Sequence, residues 1–384
     1  MRLLLLYDVV YPEHVGGVEH RNFELARALA ARGHAVTLGG LCAARGEAAP
    51  GVRYLPLGPD LPLYTPAGRR STRRAISYAV RVTRLDLDPY DLVETANIPY
   101  LHLFPLARRC RRARRPLIVN WHAHWGPYWR EYLGGWRWPV YRAIERRAAR
   151  CGDAVAAVSR LTAERVAADR GRADVRVLPN GVPGAAVRRA AAAASGAGPP
   201  LLFAGRLTRE RRLDLLLAAV ARLAESRPGL LLTLAGDGPG RDELEQRAAA
   251  LGLGGAVRFT GKLPSGELWR AMGGARVAVQ PSSQDSFGMF PLEAMAAGLP
   301  VVYCRAPGSA VAELVRDGVE GSAVEPDAAA LAAALARLLD DEPARARLAA
   351  AARARAAEYD WEILAARVEA FYAEVLGGAR GAGC

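Results

Sequence analysis

Short, almost unbroken apolar runs alternate along this chain with longer segments whose apolar positions recur every three to four residues. The runs are Leu3–Tyr7, Ala35–Leu38, Leu92–Glu94, Leu117–Asn120, Ala154–Val158 and Val175–Leu178. A second series follows: Leu201–Ala204, Leu230–Ala235, Val257–Thr260, Ala275–Gln280 and Val301–Tyr303. Runs that are apolar on both faces and spaced by helices predict strands of parallel sheets covered on both sides. Two such series predict an α/β chain of two doubly wound, Rossmann-like domains. The boundaries fall at residues 1–182 and 183–360, with a closing amphipathic helix over 361–376 after a cap-like Asp360. Gly181 to Pro200, with Pro183, an Ala-Gly-Ser stretch and Pro199-Pro200, reads as a hinge or linker. Gly377–Cys384 reads as a disordered tail.

Length changes this picture little: 384 residues suit two domains, and 51% hydrophobic residues supply sizeable cores. The net charge of +13 is nearly all arginine, with Lys262 the only lysine. That bias, with abundant alanine, looks like codon usage, so the charge alone does not indicate nucleic acid. No nucleic-acid motif or aromatic ladder accompanies it. Five cysteines, none spaced C-x-x-C, fit a reduced cytoplasmic protein without a disulfide framework or zinc site. The opening Met1–Leu6 run stops at Asp8, which fits a buried strand better than a signal peptide. Arg69–Arg84 reads as a basic amphipathic segment. Such a segment can rest on an anionic surface at the inner face of a membrane, although a solvated face is the simpler reading.

The richest chemistry lies in residues 282–302. Asp285 precedes a Phe287-Gly288 turn and Met289. A helix follows with Pro291 and a second acid, Glu293, in its opening turn, and Gly298 closes it. A helix start suits a phosphate, and carboxylates suit sugar or ribose hydroxyls. Together they describe a nucleotide sugar, although two acids near a helix start can also be plain caps. Gly16-Gly17 opens the first βα turn, where a ligand can approach the backbone, but no G-x-G-x-x-G accompanies it. Arg206 and Arg211 flank another turn and could converge on a phosphate, against the alternative of a solvated basic run. His122 and His124 follow a strand; without a third ligand at usual spacing, no metal site is expected. Trp125, Tyr128 and Trp129 offer aromatic faces that suit a sugar or a core equally well. Asp86-Leu-Asp88 reads as a loop.

The stretch Asp285-x7-Glu293, with Phe287-Gly288 and Gly298-x-Pro300-Val301-Val302, resembles the E-x7-E signature of retaining GT-B glycosyltransferases of family 4. Asp stands where the family has its first Glu. The resemblance covers nearly the whole chain: Gly16-Gly17, Trp121-His122, Gly205-Arg206 with Arg211, Leu234–Pro239, Val257–Pro264 and the Trp361 helix all match family segments. It implies a GT-B fold, two Rossmann-like domains facing across a cleft, with the last helix returning to the first domain. It implies transfer of a sugar from a nucleotide diphosphate sugar, a UDP-sugar by default, to an acceptor hydroxyl, with retention and without metal or cofactor. Arg206, Arg211, Gly16, Gly17 and the Phe287–Met289 backbone would hold the diphosphate. Asp285 would orient sugar hydroxyls, Glu293 the ribose, and His122 the sugar. Gly261, Lys262 and Leu263 would lie along the base, and Trp125, Tyr128 and Trp129 on the acceptor side. Arg211 replaces the family's Lys, and Arg212 its Gly. A nucleotide-sugar epimerase, a sugar phosphorylase, or a non-catalytic basic binding protein are the alternatives. Donor hydrolysis assays separate them.

Overall fold

A computed structural model describes residues 1–65, 68–194 and 198–381, and the side chains up to residue 378. The chain forms two compact units: Met1–Gly181 with the segment from Trp361 onward, and Val182–Asp360.

The first unit is built on an eight-stranded sheet. Its strands are β1 (Arg2–Leu6), β2 (Ala35–Leu41), β3 (Glu47–Ala49), β4 (Val52–Gly58), β5 (Leu92–Ala96), β6 (Leu117–Trp121), β7 (Ala154–Ala157) and β8 (Val175–Val177), in the order β3-β4-β2-β1-β5-β6-β7-β8. All pairs are parallel except β3–β4. The two faces differ in chemistry. On one, Leu4, Leu6, Val93, Val119, Trp121 and Val155 join Tyr78, Val82, Leu103 and Leu106 in a single apolar cluster. The other carries Glu94 and Asn120 among its buried positions, and is covered by the first helix (Gly17–Ala31) and the last (Trp361–Gly381).

The second unit has a six-stranded parallel sheet of β9 (Leu201–Ala204), β10 (Leu232–Ala235), β11 (Val257–Gly261), β12 (Val277–Gln280), β14 (Val301–Cys304) and β16 (Gly321–Val324), in the order β11-β10-β9-β12-β14-β16. Two-residue strands β13 (Gln284–Asp285) and β15 (Gly308–Ser309) pair separately. Leu201, Phe203, Leu232, Leu234, Val277, Val279 and Val302 pack under helices Leu213–Ala224 and Ala328–Asp340.

Three expectations are corrected. The supposed linker contains a helix, Gly184–Ala192, whose Val187 and Ala191 are buried. It packs on helices Ser265–Gly274 and Met289–Ala297. Alanine, uninformative about a linker, is the best intrinsic helix former, and here it permits close helix packing. Of the remaining linker residues, 195–197 lie outside the described residues. The last helix continues through Gly381, past the expected end at 376, because five more residues extend its hydrogen-bonded turns; residues 382–384 of the expected tail lie outside the described residues. Finally, Arg69–Arg84 is not uniformly a surface stretch. Within helix Thr72–Arg81, Arg74 is fully buried and bonds Asp60, Leu61 and Asp8. Arg70 pairs with Asp8. Among the described residues, no helix is long and apolar enough to cross a membrane.

Candidate active site

In the second unit, the candidate site residues sit where strands give way to loops and helices. Gly288 adopts φ +100°, a conformation that costs a side-chain-bearing residue about 1–2 kcal/mol. This turn launches helix Met289–Ala297, whose first internal hydrogen bond runs from Leu292 N–H to Gly288 C=O at 3.0 Å. The amides of Met289 and Phe290 precede that bond and belong to the set a helix start presents to an anion. Because the helix begins at Met289, Pro291 is its third residue and Glu293 its fifth. Glu293 therefore lies in the second turn, not the opening one, and the residue as a whole is half-buried. Burial pushes its pKa up to about 7, against the Trp269 indole N–H, which lowers it. Gly298 closes the helix in the left-handed conformation, as expected.

Asp285, expected in a loop, lies on β13. Its Oδ2 accepts from Arg211 Nη1 at 2.6 Å and from Gln280 Nε2 at 2.7 Å; its Oδ1 accepts from Phe287 N–H at 3.2 Å. The structure thus joins two expected site residues, Asp285 and Arg211, by an ion pair. Arg211 ends a 3-10 turn, Arg209–Arg211, and the Ser283 N–H ties the β13 loop to it through Glu210 C=O at 2.9 Å. The next residue, Arg212, has φ +51° and begins helix Leu213–Ala224. An arginine here carries backbone strain of roughly 1–2 kcal/mol that glycine would not. Arg206 follows Gly205 at the end of β9 and is half-buried; Gly261 turns the chain at φ +72°, with Lys262 exposed and Leu263 half-buried.

In the first unit, Gly16 precedes the first helix, with Gly17 its first residue. The buried Glu19 carboxylate folds back so closely that a Cβ on Gly16 would lie 2.7 Å from Glu19 Oε1. His122 follows β6 directly. Its backbone N–H donates to Asn97 Oδ1 at 3.0 Å, and Asn97 Nδ2 donates to Ala123 C=O at 2.9 Å. Burial, with the Arg21 charge added, holds the His122 imidazole well below its usual pKa, so the ring is neutral.

The aromatic loop is anchored from behind. Glu145 accepts from the Trp125 and Gly126 amides at 2.8 and 2.9 Å and from the Tyr100 hydroxyl at 3.0 Å. His124 meets Asp169 at 2.7 Å, and Arg142 binds both Asp169 oxygens. Burial would raise the pKa of Asp169, but hydrogen bonds from His124 and Arg142 outweigh it and hold the carboxyl far below the usual range. His124, Glu145 and Asp169 bring possible metal-ligating atoms within 4.8 Å of one another. The local spacing concealed this trio, whose acids arrive from two other helices. Arg142 already supplies the balancing cation. Trp125 stacks on Tyr128 and Trp129 at 5.5 and 5.1 Å. Trp129 is only 6% exposed and packs on Tyr100, Tyr132 and Tyr141, the core arrangement that the sequence left open beside an acceptor role. Asn97, Glu145 and Asp169 were not anticipated; a polar Asn just past an apolar strand was the one available signal.

With this geometry in place, comparison with known proteins defines the class. The family described as "Glycosyl transferases group 1" matches residues 189–355, and "Glycosyltransferase Family 4" matches residues 15–184. The chain belongs to this glycosyltransferase family and has the GT-B fold. It is 29% identical to glycogen synthase of Mycobacterium tuberculosis, over 99% of this chain and 96% of that protein. It is 32% identical to a GDP-mannose-dependent alpha-(1-6)-phosphatidylinositol monomannoside mannosyltransferase of Mycolicibacterium smegmatis, over 74% of this chain and 75% of that one. An Anabaena protein, HepE, solved with UDP and glucose, superposes with a TM-score of 0.73 at 22% identity, over 97% and 99% of the two chains.

Proposed function

We propose that this glycosyltransferase moves a sugar from a nucleotide diphosphate sugar, a UDP-sugar by preference, to an acceptor hydroxyl of a glycan, glycolipid or specialised metabolite. It does so with retention of configuration and without metal. The observation that carries this reading is the grouping in the second unit: an Arg211–Asp285 ion pair, the Gly288 helix start three residues after Asp285, and Glu293 five residues further on. Charge develops on the departing diphosphate. Arg206, Arg211 and the Met289 and Phe290 amides stabilise it as fixed donors, so no group reorganises as the bond breaks. Asp285 and Glu293 accept hydrogen bonds from sugar and ribose hydroxyls, and a neutral His122 contacts the sugar. Gly16 and Gly17 leave backbone accessible to the diphosphate, and the Gly261–Leu263 turn contacts the base.

UDP is preferred because a protein of the same fold is solved with it; the mannosyltransferase relative, which uses GDP-mannose, makes GDP-mannose the second donor to try. Membrane contact is assigned to the outer side of helix Thr72–Arg81, where Ile76 and Val80 are about half exposed next to Arg73.

The test is release of nucleoside diphosphate from UDP-glucose and GDP-mannose, with and without EDTA. UDP release insensitive to EDTA is expected, falling at least about 100-fold in Glu293→Ala with the fold intact. Wild-type turnover in that variant would remove Glu293 from the mechanism. An isomerised donor in place of free UDP would replace the transferase reading with an epimerase.

A further inference from the structure

A buried arginine–glutamate pair is a costly way to fasten a helix to a sheet, since apolar residues of similar size usually do as well. The first unit contains one. Arg21, 1% exposed on the first helix, donates from Nη1 to Glu94 Oε1 at 2.8 Å and to Asn22 Oδ1 at 3.0 Å. Glu94, on β5, also accepts from Asn120 Nδ2 at 3.3 Å and from the Tyr372 hydroxyl of the last helix. Glu94, Asn120 and Tyr372 are each buried. Arg21 is left with Nε and Nη2 buried and without a hydrogen-bond partner; Asn120 Oδ1 and His122 Nε2 share that condition. Asn120 lies two residues beyond Ile118, the register partner of Glu94, and so shares the face that bears Glu94; His122 follows directly after the end of β6. Unspent donors and acceptors concentrated in one buried seam, beside a histidine, do not describe a stability device.

We propose that Arg21, Glu94 and Tyr372 are positioning residues for His122, and that through them the last helix supports the sugar-contacting end of β6. Glu94 and Tyr372 hold the guanidinium in place. Its fixed positive charge and the burial of the ring act in the same sense, keeping the imidazole neutral. A neutral ring protonated at Nδ1 accepts a sugar hydroxyl at Nε2. The inference rests on the proposed role of His122 in holding the sugar.

The experiment uses the full chain, with UDP-glucose as donor. Arg21→Met with Glu94→Leu replaces the pair by apolar residues of similar size, an exchange that folded proteins commonly accept. The expected result is a kcat lower by about 10-fold or more with donor KM within about 2-fold. The acid limb of the kcat profile should move to higher pH, because the imidazole loses the Arg21 cation that opposed its protonation. The His122 ring signals in NMR should titrate at correspondingly higher pH. Tyr372→Phe, which removes a single hydroxyl, should move all three readouts in the same direction by less, and it carries the test if the double variant unfolds. A double variant, or a folded Tyr372→Phe, with unchanged kcat, pH limb and imidazole titration overturns the inference, provided His122→Ala is at least about 100-fold impaired. If His122→Ala retains wild-type turnover, the role of His122 falls first and this inference with it.

Discussion

The two units place their chemistry differently. In the second, β9, β10, β12 and β14 are almost wholly apolar, with Thr233 and Gln280 their buried polar residues; the acids and cations stand on the connections that follow. In the first, charge enters the sheet itself, as Glu94 on β5 against Arg21, and Asn120 on β6 beside them. A group hung on a connection remains near water and can exchange protein partners for a ligand. A group built into a sheet has been desolvated once, during folding, and stays fixed. The second unit therefore offers adaptable ligand contacts, and the first a rigid support. Stability and activity should separate accordingly when residues of each are removed.

The largest effect should come from Glu94→Ala. It leaves Arg21 charged, buried and unpaired, a change that costs about 3–5 kcal/mol. Chemical denaturation followed by a probe in the first unit measures it. A loss below about 1 kcal/mol would show that the pair is reached by water, and the contrast between the units would fail. Asp285→Ala should behave in the opposite way. Arg211 keeps 26% of its side-chain surface exposed, so losing its partner should change stability by less than about 1 kcal/mol. Donor turnover should nonetheless fall about 10- to 100-fold, because a sugar hydroxyl loses its acceptor. An Asp285→Ala enzyme that unfolds readily but turns over normally would reverse the roles given to the two units.

The same contrast explains what could be read in the sequence. All eleven strands expected from apolar runs are present; nine lie inside their sheets, where a parallel strand must be apolar on both faces, and β8 and β11 form edges. The strands not foreseen lie where that signal fails. β4 carries Pro56 and a register shift against β2; β16 reads Gly-Ser-Ala-Val, too small and mixed to stand out. The candidate residues of the second unit, Asp285, Gly288 and Glu293, were legible through local spacing. The supports in the first unit were not. Glu94 looked like the end of a strand, Arg21 like one arginine among many, and Tyr372 like part of a helix face. Their meaning comes from pairings 73 and 278 residues apart along the chain. Arg212 shows the converse: its departure from the family's glycine was plain in the sequence, and the positive φ it adopts explains why glycine suits that position.

The smallest expected effect tests whether Glu293 is held ready for a ligand at the expense of the fold. An acid raised from 4.5 to about 7 binds its proton more tightly folded than unfolded. Ionising it therefore opposes folding. This penalty is absent below about pH 4.5, grows as pH rises toward 7 and is complete above it. The full shift corresponds to about 3–4 kcal/mol, and the partial exposure of Glu293 reduces that to about 1 kcal/mol. Glu293→Gln cannot ionise, so it should melt with the wild type near pH 4.5 and about 2–4 °C above it at pH 8, while losing donor turnover at both. Bound donor should narrow the gap at pH 8 by stabilising the wild type, because ribose hydroxyls give the carboxylate the hydrogen bonds that the free protein denies it. A helix-capping acid predicts the reverse: its removal would lower the melting temperature, most of all at high pH, where a charged cap is strongest. The sign of the difference at pH 8 thus decides between an acid kept for a ligand and an acid kept for the helix.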